Sequence, residues 1–155
     1  MDTRDIDFLR QAIDLATQAR SRGDEPFGAL ITDSAGSVLT KAYNSIDSSA
    51  DITSHAEMNA VRDVWKPGID LRGATLYASC EPCAMCSGAI FWSGIGRVVF
   101  ALSGDTLISL AGGPQSPLVL SLPCRSVFAK GGHEVVVCGP LLEDEARFPV
   151  EGYWN

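Results

Sequence analysis

Residues 74–102, ATLYASCEPCAMCSGAIFWSGIGRVVFAL, decide the fold. ATLYAS reads as a strand, and Pro82 suits the first turn of a helix, where its missing N–H costs nothing. CAMCSGAIFWSG then runs helically until Gly94 or Gly96, and RVVFAL (97–102) is a second apolar strand. Strand, helix and strand in this order form a parallel pair joined by a right-handed crossover.

Working outward, residues 5–22 carry Phe8, Leu9, Ala12, Ile13, Leu15, Ala16 and Ala19 at helical spacing, with Gly23 as a stop. FGALITD (27–33), a turn at SAG (34–36) and SVLTKAYN (37–44) form a hairpin. SIDSSADIT is a polar loop, and Ser54 is a candidate cap for a helix through HAEMNAVRDVW, which Lys66-Pro67-Gly68 breaks. EVVVC (134–138) is a short strand and PLLEDEARF (140–148) a closing helix. Between them, GGPQSP (112–117) is a loop, while LVLSLP fits either strand or loop. The pattern predicts one α/β domain over residues 1–155, with a mixed sheet and helices on both faces.

Composition narrows the function. Net charge is −7, and from Arg97 onward four basic side chains face six acidic ones. Phosphate neutralisation supplies most nucleic-acid affinity, so this balance argues against a large RNA or DNA partner. No apolar run has the length of a membrane helix. MDTRDIDFLRQ lacks the basic-then-apolar layout of an export signal, so a cytoplasmic location is expected. There thiols stay reduced, and five cysteines do not make a disulfide framework. Cys124 and Cys138, in apolar surroundings, read as buried free thiols.

Cys83 and Cys86, three apart at a helix start, share one face. The positive end of the helix dipole favours thiolate, the metal-binding form. Soft sulfur combined with the imidazole of His55 favours zinc. Three arrangements fit: a redox pair, a closed structural site of His55, Cys83, Cys86 and His133, or an open site of three ligands with a fourth position for water. Zinc with two thiolates and a neutral imidazole sums to zero charge, so it acidifies water less than a three-histidine site does. An open site therefore needs a neighbouring base, and Glu57, two residues from His55, supplies one. Alone, Glu57 would be an ordinary first-turn carboxylate.

HAE followed by PCAMC resembles the H-x-E and P-C-x-x-C signature of zinc deaminases, and so the cytidine deaminase-like superfamily. PFGALI, YN and GRVVF extend the resemblance over about residues 8–102. It implies a three-layer α/β/α sandwich with a mixed five-stranded sheet, whose first two strands are an antiparallel hairpin and whose metal-bearing helices lie on one face. It also implies one Zn2+ per chain on His55, Cys83 and Cys86, a zinc-activated water, and Glu57 as proton shuttle, with ammonia released.

SCEPCAMCSGAIFW and HAEMNAVR look most like the guanine deaminase and tRNA adenosine deaminase branch. Asn44 aligns with its base-binding asparagine, and Phe27 with an aromatic that packs on the ring. Backbone N–H groups at the helix starts, Ala56 among them, would bind a substrate carbonyl, and Trp92 would wall the pocket or be core. Asp105 and Glu143 are candidates for a second acid. The chain ends LLEDEARFPVEGYWN, acidic and aromatic, unlike the basic helix of the tRNA-editing enzymes. Phe148, Tyr153 and Trp154 are expected to close over the pocket as a lid. The substrate class expected is a small aminated nucleobase or nucleoside, guanine-like ahead of cytosine. Alternatives are a tRNA adenosine deaminase and a silent zinc-stabilised module. A homodimer is expected from the resemblance.

Overall fold

A computed structural model describes residues 2–155. The chain runs α1 (Thr3–Ser21), β1 (Gly28–Thr32), β2 (Val38–Tyr43), α2 (Ile46–Ser49), α3 (Ala56–Val64), β3 (Thr75–Cys80), α4 (Ala84–Ser93), β4 (Arg97–Leu102), α5 (Gly104–Leu110), α6 (Cys124–Phe128), β5 (Val136–Cys138) and α7 (Glu143–Arg147). The strands form one sheet in the order β2-β1-β3-β4-β5. The β1–β2 hairpin is antiparallel, as is β1 with β3, whereas β3, β4 and β5 run parallel. This is the expected mixed α/β/α sandwich.

Alternation along the strands sorts the core into two layers, because successive side chains point to opposite faces. Ile31, Leu76, Ala78, Val98 and Phe100 meet Ala56 and Ala60 of α3, Ile90 of α4 and Phe128 of α6. Leu30, Tyr77, Val99 and Ala101 meet Leu9 and Ile13 of α1 and Ala146 of α7. Both metal-motif helices thus lie on one face and α1 on the other.

Local chemistry sets the boundaries. Asp2 and Asp5 form a reciprocal capping box at the start of α1. That helix lies so close to β1 that a Cβ on Gly28 would collide with the Ala12 carbonyl. Gly94 ends α4 in the left-handed region at φ 85°.

Two expectations change, and one open alternative closes. Ser54 does not cap α3: His55 is the cap residue and makes no side-chain cap bond. Its ring turns toward two sulfurs instead. The loop after β2 contains the short helix α2. LVLSLP takes the loop alternative, and residues 103–133 hold α5 and α6, both of which bond one carboxylate. Glu81 accepts from Gly104 N–H (2.9 Å) and Cys124 N–H (3.0 Å), holding the first residue of each helix. Among the described residues, no helix is long and apolar enough to cross a membrane.

Candidate active site

β3 ends at Cys80, the prolyl turn follows, and Cys83 stands at the N-cap of α4 with Cys86 one turn in. His55 stands at the N-cap of α3, which packs beside α4. The two helix starts therefore converge beyond the carboxyl end of a central strand, where open α/β sheets bind ligands. His55 Nδ1 lies 3.6 Å from Cys83 Sγ and 3.5 Å from Cys86 Sγ. The three donor atoms lie within 4.8 Å of one another.

The two sulfurs differ in acidity, Cys83 being the more acidic. Hydrogen bonding from the Cys86 side chain pulls the Cys83 pKa down to about 4, with lesser help from His55 and the Cys86 N–H. The same sulfur contact, with burial, pushes Cys86 up. His55 is raised, chiefly by Cys83. One imidazole and two sulfurs with donor atoms within 4.8 Å of one another fit a divalent, sulfur-tolerant cation, whose binding displaces the protons they carry. The donor set is that of zinc, one ion per chain.

Glu57, 7% exposed, is drawn into the same cluster: its Oε2 is 3.5 Å from Cys86 Sγ. Burial pushes its pKa up to about 7, and the neighbouring Cys83 charge adds to this. A carboxyl titrating near neutrality can both take and give a proton at working pH.

His133 is elsewhere. Its ring stacks on Phe91 at 4.1 Å and its Nε2 lies 3.1 Å from the Phe91 carbonyl, at the end of α4. The four-ligand reading therefore fails. A simple redox pair also fails to account for His55 and Glu57 gathered around the sulfurs.

Around the cluster, Ala56 is buried as the first residue of α3. Asn44 is 1% exposed, and its Oδ1 accepts from Ile46 N–H at 3.0 Å, so it is a turn former as well as a pocket candidate. Phe27 lies 6.2 Å from Trp154, centroid to centroid, and Trp154 meets Tyr153 edge-on at 5.0 Å. Arg20 holds this tail by donating to the Pro149 and Glu151 carbonyls at 2.8 and 2.7 Å.

Other expectations part from the structure. Trp92 is 82% exposed, neither core nor pocket wall within this chain. Phe148 is 78% exposed and stands outside the aromatic tail contact. Asp105 is exposed. Glu143 accepts from Ser103 N–H (2.9 Å) and Thr106 Oγ1 (3.1 Å), fastening the start of α5. Neither acid joins the metal cluster.

Two acids near the site were not singled out in the sequence. Glu81 links the prolyl turn to α5 and α6, and Glu25 lies against Asn44, whose Nδ2 is 3.5 Å from Glu25 Oε2. Glu81 sits inside the metal motif, which could have marked it. Glu25 precedes a proline in a loop and looks like any solvated acid.

A mixed five-stranded sheet presenting an imidazole, two thiols and a buried carboxyl at paired helix starts defines a zinc-dependent deaminase. Residues 2–102 match the model of the cytidine and deoxycytidylate deaminase zinc-binding region, and the chain belongs to that family. It is 43% identical to the "Probable cytosine deaminase" of Schizosaccharomyces pombe, over 100% of this chain and 95% of that protein. It is 39% identical to the guanine deaminase of Bacillus subtilis over 61% of this chain and 62% of that one. A solved structure from a study of A-to-I editing by tRNA:A34 deaminases superposes with a TM-score of 0.71 at 26% identity, covering 93% of this chain and 99% of that one. The enzyme is a nucleobase or nucleoside deaminase.

Proposed function

We propose that this enzyme hydrolyses the exocyclic amine of a small free base, with cytosine the favoured ring. The observation that carries the reading is the buried Glu57 carboxyl 3.5 Å from a sulfur of the His55–Cys83–Cys86 cluster. Preference shifts from a guanine-like ring to cytosine because the full-length relative is described as a cytosine deaminase, whereas the guanine deaminase matches over 61% of this chain.

His55, Cys83 and Cys86 would hold a zinc ion, which would supply the Lewis acidity that makes water nucleophilic near neutral pH. Glu57 accepts the proton that water gives up and delivers it to the ring nitrogen beside the amine. It then takes the proton of the hydroxyl newly added to the ring carbon and passes it to the departing nitrogen, so amine plus water becomes carbonyl plus ammonia. Phe27 packs on the ring, Asn44 and the Ala56 N–H hold its polar edge, and Tyr153 and Trp154 cover the mouth against water. A small base is favoured over tRNA by the net charge of −7 and the acidic C-terminal segment. Trp92 suits an apolar contact with a second copy of the chain.

The test is ammonia release from cytosine, guanine, adenine, cytidine, guanosine and a tRNA anticodon stem-loop. Cytosine is expected to turn over fastest. Release from the stem-loop alone, or from none of them, refutes the reading.

A further inference from the structure

Glu25 is a half-buried acid beside Asn44 that the deamination steps leave without a task. Its carboxylate forms no ion pair among the described residues. Its one side-chain contact is long, 3.5 Å from Asn44 Nδ2. A desolvated carboxylate without a counter-cation is costly, and in a native fold it calls for an explanation. Burial raises its pKa, and the neighbouring Asp47 charge adds to the rise, whereas His55 opposes it. It is therefore close enough to the cluster to feel His55, and it likewise raises the pKa of Tyr153 in the tail. Glu25 thus lies beside Asn44 and within electrostatic range of His55 and Tyr153.

The amide beside it has a fixed orientation. Asn44 Oδ1 is taken by Ile46 N–H, and the main chain is pinned by Asn44 N–H donating to the Phe27 carbonyl at 3.0 Å. Nδ2 therefore faces Glu25 and offers a donor, while the carboxylate beside it offers only acceptors. A donor and an acceptor 3.5 Å apart are spaced for neighbouring atoms of one ring edge.

We infer that Glu25 and Asn44 together read an O=C–N–H edge of the substrate, Asn44 donating to the carbonyl and Glu25 accepting from the ring N–H. On a cytosine ring this edge is C2=O with N1–H, and it exists only in the free base, since N1 of the riboside carries the sugar. Glu25 is thus a specificity residue that selects the free pyrimidine over its N1-substituted forms. A site built around a substrate N–H discriminates strongly against analogues lacking it, because its own buried acceptor is then left unpaired. This inference rests on the deaminase reading above and deepens it.

The experiment compares kcat/KM for cytosine and 1-methylcytosine in the wild-type enzyme, Glu25→Ala and Glu25→Gln, each with zinc content and Tm measured. The wild type should favour cytosine by about 100-fold or more. Glu25→Ala should lose about 10- to 100-fold on cytosine, mainly through KM, and change little on 1-methylcytosine. Glu25→Gln, which keeps an acceptor oxygen, should fall between. Equal losses on both substrates in both variants, or no loss on either, overturn the role of Glu25. A wild-type enzyme that treats the two substrates alike overturns edge recognition while leaving the deaminase reading intact. Zinc-loaded wild type releasing ammonia from neither removes both.

Discussion

Replacing Asp5 with Asn should weaken the fold while sparing the metal site, because Asp5 fastens α1 to the start of β4, at the opposite end of the sheet. Its carboxylate is 2% exposed. It receives both Arg97 Nη groups, at 2.9 and 2.8 Å, and the Tyr77 hydroxyl at 2.9 Å. The Arg97 bonds, chiefly, hold its pKa at about 2 rather than the ordinary 3.8. At ~1.4 kcal/mol per pKa unit, that depression is worth about 2 kcal/mol at pH 7. For a domain of this size the expected loss is about 4–8 °C in Tm.

The folded-state pKa lies below the unfolded one, so this contribution is complete above about pH 4 and is lost as pH falls through about 2. Urea unfolding of wild type and Asp5→Asn at pH 7 and at successively lower pH is the assay. The two stabilities should differ by about 2 kcal/mol at neutral pH and converge in acid. Equal stabilities at pH 7, or a gap that persists undiminished in strong acid, would refute the reasoning.

Two further perturbations separate the site from its surroundings. His133→Ala removes a ring stacked on Phe91 and its contact with the Phe91 carbonyl, both away from the metal cluster, so bound zinc should stay at one per chain by elemental analysis; a loss of half or more would restore His133 as a ligand. Trp154→Ala removes the partner of Phe27 and should lower kcat/KM for a small base by about 3- to 10-fold with Tm nearly unchanged; unaltered kinetics would remove the aromatic cover from the mechanism.

The metal cluster and the strand–helix–strand unit around it were legible in the sequence because their signals are local. Apolar runs of strand length, Pro82 and Gly94 punctuate residues 74–102, and the spacing of Cys83 and Cys86 fixes them one turn apart on α4. What stayed hidden depends on contacts distant in sequence. Glu81 holds the first residue of α5 and of α6 across 23 and 43 residues of sequence, which no periodicity encodes. The Ser-rich stretch after β2 resembles an open loop, yet it folds a turn of helix whose Ser48 donates to Asp24 from both its amide and its hydroxyl. Glu143, a candidate second acid in the sequence, fastens α5 instead. Trp92 shows the converse limit: its place in an apolar helix predicts burial, and only the packed fold reveals that it faces outward.

Ammonia release by Glu57→Gln, assayed on protein carrying one zinc per chain, tests the central claim most directly. The amide preserves the shape of the buried side chain but can no longer relay a proton, so turnover should fall by about 100- to 10,000-fold while zinc remains bound. Near-normal turnover in that variant would contradict the account.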